Sequence, residues 1–287
     1  SGRTYTVFGR RGNRAGARDI VFIEYAVNDA QDTFTKASFE SLIKTVLMQE
    51  NDPAVVLIFN RTVDGYSTQE QMQIVGRFYD LPMISVVDAI TPEIDEGRMK
   101  WEDYSVDTAH PSADGHRLIS EFIEYMYSTA ENTDAEPYEI PEDSLYGANY
   151  VNATMVTLTT SSDELTLTDI GAFTETTATG LGFPGYWIYN SSAADSNEPM
   201  KLNARGSAFF LIYKTNNNET MGSVDVYING EQVKTIVSNE EFGWGGAAAM
   251  VAAEYDEVID MEIEIRPVND GTAETTFTIF GFAVSQN

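Results

Sequence analysis

DIVFIEYAVND, residues 19–29, decides how the first half of this chain folds. From Asp19 to Val27 the residues are nearly continuously apolar, with branched and aromatic side chains at both odd and even positions. A strand wet on one side alternates polar with apolar. A run without alternation is covered on both faces, as in a parallel sheet. Downstream, FTKASFESLIKTVLMQE (34–50) places Phe39, Leu42, Ile43, Val46 and Leu47 at helical spacing. PAVVLIFN (53–60) predicts a second buried strand, STQEQMQIVGRFYD (67–80) a helix, and PMISVVDA (82–89) a third strand. After a loop holding Trp101, ADGHRLISEFIEYMYS (113–128) predicts a helix with Leu118, Ile119, Phe122, Ile123 and Met126 on its apolar face. Strand and helix alternate, so residues 1–130 are expected to form an α/β domain with a parallel sheet.

The character changes at ENTDAEPYEIPEDS (131–144), proline-rich and acidic, which sets a linker over 131–150. Beyond it the chain is rich in Thr, Ser, Asn and Gly. SAFFLIYKT (207–215), SVDVYINGEQVKTIV (223–237), DMEIEIRP (260–267) and TFTIFGFAV (276–284) predict strands. Asn229-Gly230 between two β-runs is the strongest short hairpin signal. Residues 151–287 are therefore expected to form an all-β sandwich of jelly-roll type, an accessory domain.

The 287 residues carry 17 Lys plus Arg against 45 Asp plus Glu, a formal charge of -28. Such a surface repels nucleic-acid phosphates and anionic lipid, which leaves neutral ligands such as sugars as the expected partners. No apolar run reaches the length of a membrane-spanning helix. The chain has no Cys, which removes disulfides, thiol catalysis and thiolate metal sites, and leaves the compartment open. No cofactor is expected.

Open parallel sheets bind ligands at the carboxyl ends of their strands. Asn28-Asp29, Asn60-Arg61 and Asp88 are expected there, and VDTAHPSADGH (106–116), which holds both histidines of the chain, can reach the same edge. Asp107 lies three residues before His110, so a tight turn sets the carboxylate on one imidazole nitrogen and leaves the other free as a general base. His116 opens the last helix and is read as packing or capping. A metal hook from two His would need further converging ligands. Asn28 is either a strand terminator or an oxyanion donor, and Asp29 is read as bonding its own loop.

These residues resemble the SGNH, or GDSL-like, hydrolase family. EYAVND (24–29) is similar to that family's third block and DTAHP (107–111) to its fifth, in order and at strand ends. The resemblance implies a flavodoxin-like three-layer fold, with Asn28 giving its amide to an oxyanion hole and Asp107 and His110 completing a Ser-His-Asp triad. PMISVVDA and HPSADGHRLI look like the versions in polysaccharide-acting bacterial esterases, where a β-sandwich often follows. The implied activity is a serine esterase on acylated, in particular acetylated, carbohydrate. The family's Gly-Asp-Ser nucleophile block and its second block are not present in this chain. Ser67 suits a loop, Ser85 a buried strand, and Ser1 an N-terminal nucleophile foreign to this fold, so the nucleophile is unassigned. A lost N-terminal segment is one expectation. A sugar-binding protein without catalysis and an assembly in which another chain supplies strands are the others. The 19–27 strand is expected to have its free edge covered, by a second copy in a homodimer or by the Arg-rich residues 1–18. Trp187, Tyr189, Trp244 and the FGWGG loop (242–246) are candidates for stacking on sugar rings or for core.

Overall fold

A computed structural model describes residues 19–286 apart from 135–137, 152, 242, 270 and 272–273. The chain divides into two compact units, one reaching to Ala148 and one beginning at Asn149. The Arg-rich residues 1–18, expected as one cover for the first strand, lie outside the described residues.

The α/β unit holds a three-stranded parallel sheet in the order β1 (Ile20–Ile23), β2 (Ala54–Phe59), β3 (Met83–Ser85). Helix α1 (Thr33–Leu47) joins β1 to β2 and α2 (Gln69–Phe78) joins β2 to β3. Each step moves one strand across in the same direction, so right-handed crossovers put both helices on one face. There Phe39, Ile43, Val46, Met72 and Val75 meet Ile23, Val55, Leu57 and Phe59 in one buried cluster. The chain then lays α3 (Val86–Asp95), α4 (Trp101–Tyr104) and α5 (Ala113–Glu131) on the opposite face, against Val56, Ile58 and Ile84.

Two expectations are corrected. PMISVVDA is not one strand: Ser85 ends β3 and its hydroxyl accepts the Asp88 N–H (2.9 Å), so VVDA starts α3 and Asp88 sits in a helix turn. A capping serine converts an apolar run into a helix start where a strand period looked equally good. The 19–27 run forms a strand only through Ile23, and a turn follows. Among the described residues β1 pairs only with β2, and Phe22 is 38% exposed.

The stretch expected as a linker is pinned to the α/β unit from Tyr138 onward. Glu40 of α1, fully buried, accepts the Leu145 and Tyr146 backbone N–H groups (2.7 and 2.6 Å) and the Tyr79 hydroxyl (2.8 Å). The Tyr138 hydroxyl donates to the Tyr79 carbonyl, and Lys44 Nζ to the Glu142 carbonyl. A buried carboxylate is tolerated only when its oxygens are satisfied, and three donors do so here.

The second unit is antiparallel, with a main path β10 (Glu231–Val237), β9 (Ser223–Ile228), β11 (Trp244–Val268), β8 (Met200–Asn216), β12 (Thr276–Ser285), β7 (Tyr186–Asn190), β6 (Thr174–Thr176). Off that path, β4 (Thr154–Val156) pairs with β12 and β5 (Leu165–Asp169) with β8. The long strands β8 and β11 serve two halves. Their Met200–Gly206 and Ile259–Ile265 segments pair with each other beside β5 and β9, and their Ala208–Asn216 and Trp244–Glu254 segments pair beside β12. The register breaks between Glu254 and Ile259, where the sheet turns its corner. Val224, Val226, Ile263 and Ile265 from one half then meet Phe209, Leu211, Phe277 and Phe282 from the other in a single core. Asn229 (φ 52°) and Gly230 (φ 86°) make the tight β9–β10 turn, which needs positive φ at both positions.

Candidate active site at the carboxyl edge of the parallel sheet

Beyond β1 the chain turns so that the Asn28 and Asp29 N–H groups both donate to the Tyr25 carbonyl (3.1 and 3.2 Å). Asn28 is exposed at this turn, while Asp29 is only 3% exposed and its Oδ2 has no hydrogen-bond partner. Burial first, then the charges of Asp32 and Glu24, push the Asp29 carboxyl up to about 7. Glu24, at the end of β1, is also raised by burial, against lowering bonds from Ala26 and Asn60. Asn60 follows β2 and accepts the Tyr104 hydroxyl through its Oδ1.

Arg61 is nearly buried. Its guanidinium donates to Thr91 Oγ1 (2.8 Å) and to the Thr62 and Val63 carbonyls. It thereby fixes a loop, 62–66, that touches both candidate motifs. The Tyr66 hydroxyl donates to the Asp29 carbonyl (2.6 Å), and the Val63 N–H donates to the Thr108 carbonyl (2.9 Å). The Asn28 turn and the DTAHP loop are thus held on one rim by residues from the end of β2.

The DTAHP loop is closed on itself. Ser105 and Pro111 form a bridge, the Val106 N–H donates to the His110 carbonyl (3.0 Å), and Ser105 Oγ donates to the same carbonyl (2.6 Å). Trp101 Nε1 donates to the Asp107 carbonyl (2.6 Å). Asp107 Oδ1 accepts the Ala109 and His110 N–H groups (2.8 and 2.7 Å), and Oδ2 lies 2.8 Å from His110 Nδ1. These bonds, those from the His110 and Ala109 backbone and then the His110 ring, draw the Asp107 carboxyl down to about 2. At neutral pH that carboxylate is an acceptor only, so in the neutral imidazole Nδ1 carries the proton and Nε2 presents a lone pair. The His110 side chain is 81% exposed, and Nε2 has no partner among the described residues. Chemically this is an oriented imidazole base open to a ligand.

The other sequence candidates fall differently. His116 is exposed in the first turn of α5, whose N-cap is Ser112, accepting from the Gly115 N–H (3.1 Å). Ser85 caps α3 and donates to Gln69 Oε1, and Ser67 Oγ accepts the Gln69 N–H. Among the described residues no group of His, Asp and Glu has the makings of a metal site. The sequence reading passed over the tie made by Arg61, Tyr66 and Trp101. Its one available signal was Arg61 directly behind the strand-ending Asn60.

No protein-family profile matches the chain, and no curated protein sequence does. Solved structures do. The fold resembles that of a known two-domain esterase. That enzyme, active on acetylated mannans, superposes with TM-score 0.76 at 21% identity, over 94% of this chain and 73% of its own. A second structure of it, co-crystallised with mannopentaose, gives TM-score 0.76 at 20% identity over 94% and 72%. The similarity extends over nearly the whole of this chain, so the pairing of a parallel-sheet unit with a β unit is shared with those structures.

Proposed function

We propose that the α/β unit is the acyl-ester-cleaving part of a carbohydrate esterase of the SGNH type, acting on acetylated polysaccharide. The observation that carries this reading is the Asp107–His110 pair, with the tautomer set and Nε2 open at the carboxyl edge of the sheet. In this reading His110 takes the proton of an attacking hydroxyl and returns it to the leaving sugar oxygen. Asp107 orients the ring and stabilises the imidazolium. Asn28, exposed on the same rim, gives its side-chain amide to the oxyanion. The fold likeness to an esterase active on acetylated mannans supports an acetylated, neutral, mannan-like substrate, which also suits the acidic surface.

The serine that attacks is assigned to a strand pairing in parallel with the edge of β1 that is unpaired among the described residues, and the carboxyl end of that strand would lie beside the Asn28 turn. The exposed Phe22 and the unpartnered oxygens of Glu24 and Asp29 support an additional element there. Acetate release from acetylated β-mannan tests this. The present chain should release acetate feebly, and the chain extended by a strand ending in Gly-Asp-Ser should be faster by orders of magnitude. His110→Ala should abolish the gain. Strong hydrolysis by the present chain that survives His110→Ala overturns the reading.

A further inference from the structure

Trp244 is 86% exposed, whereas Trp187 and Tyr189, the other aromatic candidates of this unit, are core residues at 2% each. An indole left in water without a role is costly, because its large apolar face gains most from burial. This indole is also held on a built surface. Trp244 opens β11 directly opposite Asn216 of β8, so the two side chains rise on the same face. The Asn217 N–H donates to the Gly243 carbonyl (3.0 Å), and the Gly243 N–H to the Glu240 carbonyl (2.9 Å). The Glu240 N–H in turn donates to the Asn216 carbonyl (3.0 Å). Gly243 packs so closely on Asn216 that a Cβ would lie 2.7 Å from its backbone, and Gly245 takes φ +78°. Glycines on both sides of Trp244 are therefore required by the loop, and the backbone bonds fix where the ring is presented.

The surroundings decide the ligand. The Asn216 amide nitrogen lies beside Gly245 and makes no hydrogen bond among the described residues. Asn217, Asn218, Asn239 and Glu241 are exposed around the same loop. The centre of a protein-docking patch gathers several aromatic and apolar anchors and is depleted in carboxylates, whereas the exposed neighbours of Trp244 named here are three amides and a carboxylate. Nucleic acid and acidic polymers are repelled by a chain of charge -28. A flat apolar face edged by amides and carboxylates complements a neutral pyranose, which has an apolar C–H face and a rim of hydroxyls.

We infer that Trp244 is the stacking platform of a binding site for neutral polysaccharide on the β unit, with Asn216 as a hydroxyl-recognising neighbour. Only the expectation of β-mannan as the preferred polymer rests on the proposed esterase reading. The test is affinity electrophoresis of the full chain through gels containing soluble β-mannan, xylan or mixed-linkage β-glucan, with polygalacturonate as the anionic control. The chain should be retarded by at least one neutral polymer and not by polygalacturonate. Trp244→Ala should weaken that retardation about tenfold and Trp244→Tyr should largely restore it. Trp244 is exposed, so neither change should alter the circular dichroism or the melting temperature. No retardation by any neutral polymer, or equal retardation of Trp244→Ala, overturns the site, as does a loss confined to self-association in light scattering. Binding is read without catalysis. A chain that binds through Trp244 but gains nothing from the Gly-Asp-Ser extension keeps this site and loses the esterase reading.

Discussion

In the β unit, Phe209, Phe277 and Phe282 are sealed between the two halves of one folded sheet. In the α/β unit the longest helix, α5, buries only Gly115, and Leu118, Ile119, Phe122, Ile123 and Met126 stay half-covered. A cleft of about 690 Å³ is lined by Pro82–Ser85 and the second half of α5, and Asn28, Asp107 and His110 do not line it. The contrast has a geometric cause. A helix is about 10 Å across and strands lie about 4.8 Å apart, so each face of a three-stranded sheet has room for fewer than two helices, and α5 shares its side with α3 and α4. β8 and β11, by turning a corner, cover their own inner faces. Apolar content is similar in the two halves; what differs is how much surface each topology offers to cover it.

The largest test of that contrast is truncation of one aromatic in each unit. Phe282→Ala should destabilise the β unit by about 4 kcal/mol, and Phe122→Ala should cost the α/β unit about 1 kcal/mol. Equal losses in hydrogen-exchange protection would erase the distinction. Next comes Glu40→Ala, which strands one buried and two part-buried donors and should cost the α/β unit about 3 kcal/mol while leaving the β unit unmoved. Limited proteolysis near residues 138–148 should accelerate in that variant.

Acidity sharpens the comparison further. Asp29 has an ordinary carboxyl value of 3.8 unfolded and about 7 folded, so between these limits the folded state holds the extra proton. The stability of the α/β unit should therefore fall as pH rises from about 4 to 7. Asp29→Asn should flatten that slope and gain about 2 kcal/mol at pH 7.5, measured by urea melts across pH. A slope of opposite sign would show Asp29 to be ionised in the fold. The smallest effect is local. Asp107 is depressed from 3.8 to about 2, so the order it lends to the DTAHP loop is present above about 4 and is lost as pH falls through 2. Amide exchange at Ala109 and His110 should report that loss, and Asp107→Asn should show it at neutral pH.

The alternation of apolar strand and amphipathic helix made the parallel unit legible, and Asn229-Gly230 made one hairpin legible to the residue. Spacing alone also anticipated the Asp107–His110 contact, because a three-residue separation leaves few turns to choose from. What stayed hidden has two physical sources. Local chemistry overrode periodicity at Ser85, where a cap ended the strand early. Long-range partners overrode composition elsewhere: residues 138–148 look like a spacer until Glu40, far upstream, gives their backbone a place to bind. The short strands β4 to β7 carry little pattern of their own, being specified by the edges of β8, β12 and each other. Arg61 and Tyr66 act only through loops brought together by the fold.

The strand order of the β unit also sets a timetable. β8, at the middle of the core, takes its two central neighbours from β11 and β12, both far downstream of it, and β4 pairs Thr154 with Val284 across most of the unit. Contacts this distant cannot form until both partners have left the ribosome, so this unit must wait until β12 has emerged and then close slowly. The α/β sheet adds its strands in sequence order and can assemble as it appears. During that interval the nascent β strands are exposed without partners, and their many acidic residues keep neighbouring chains apart until β12 arrives.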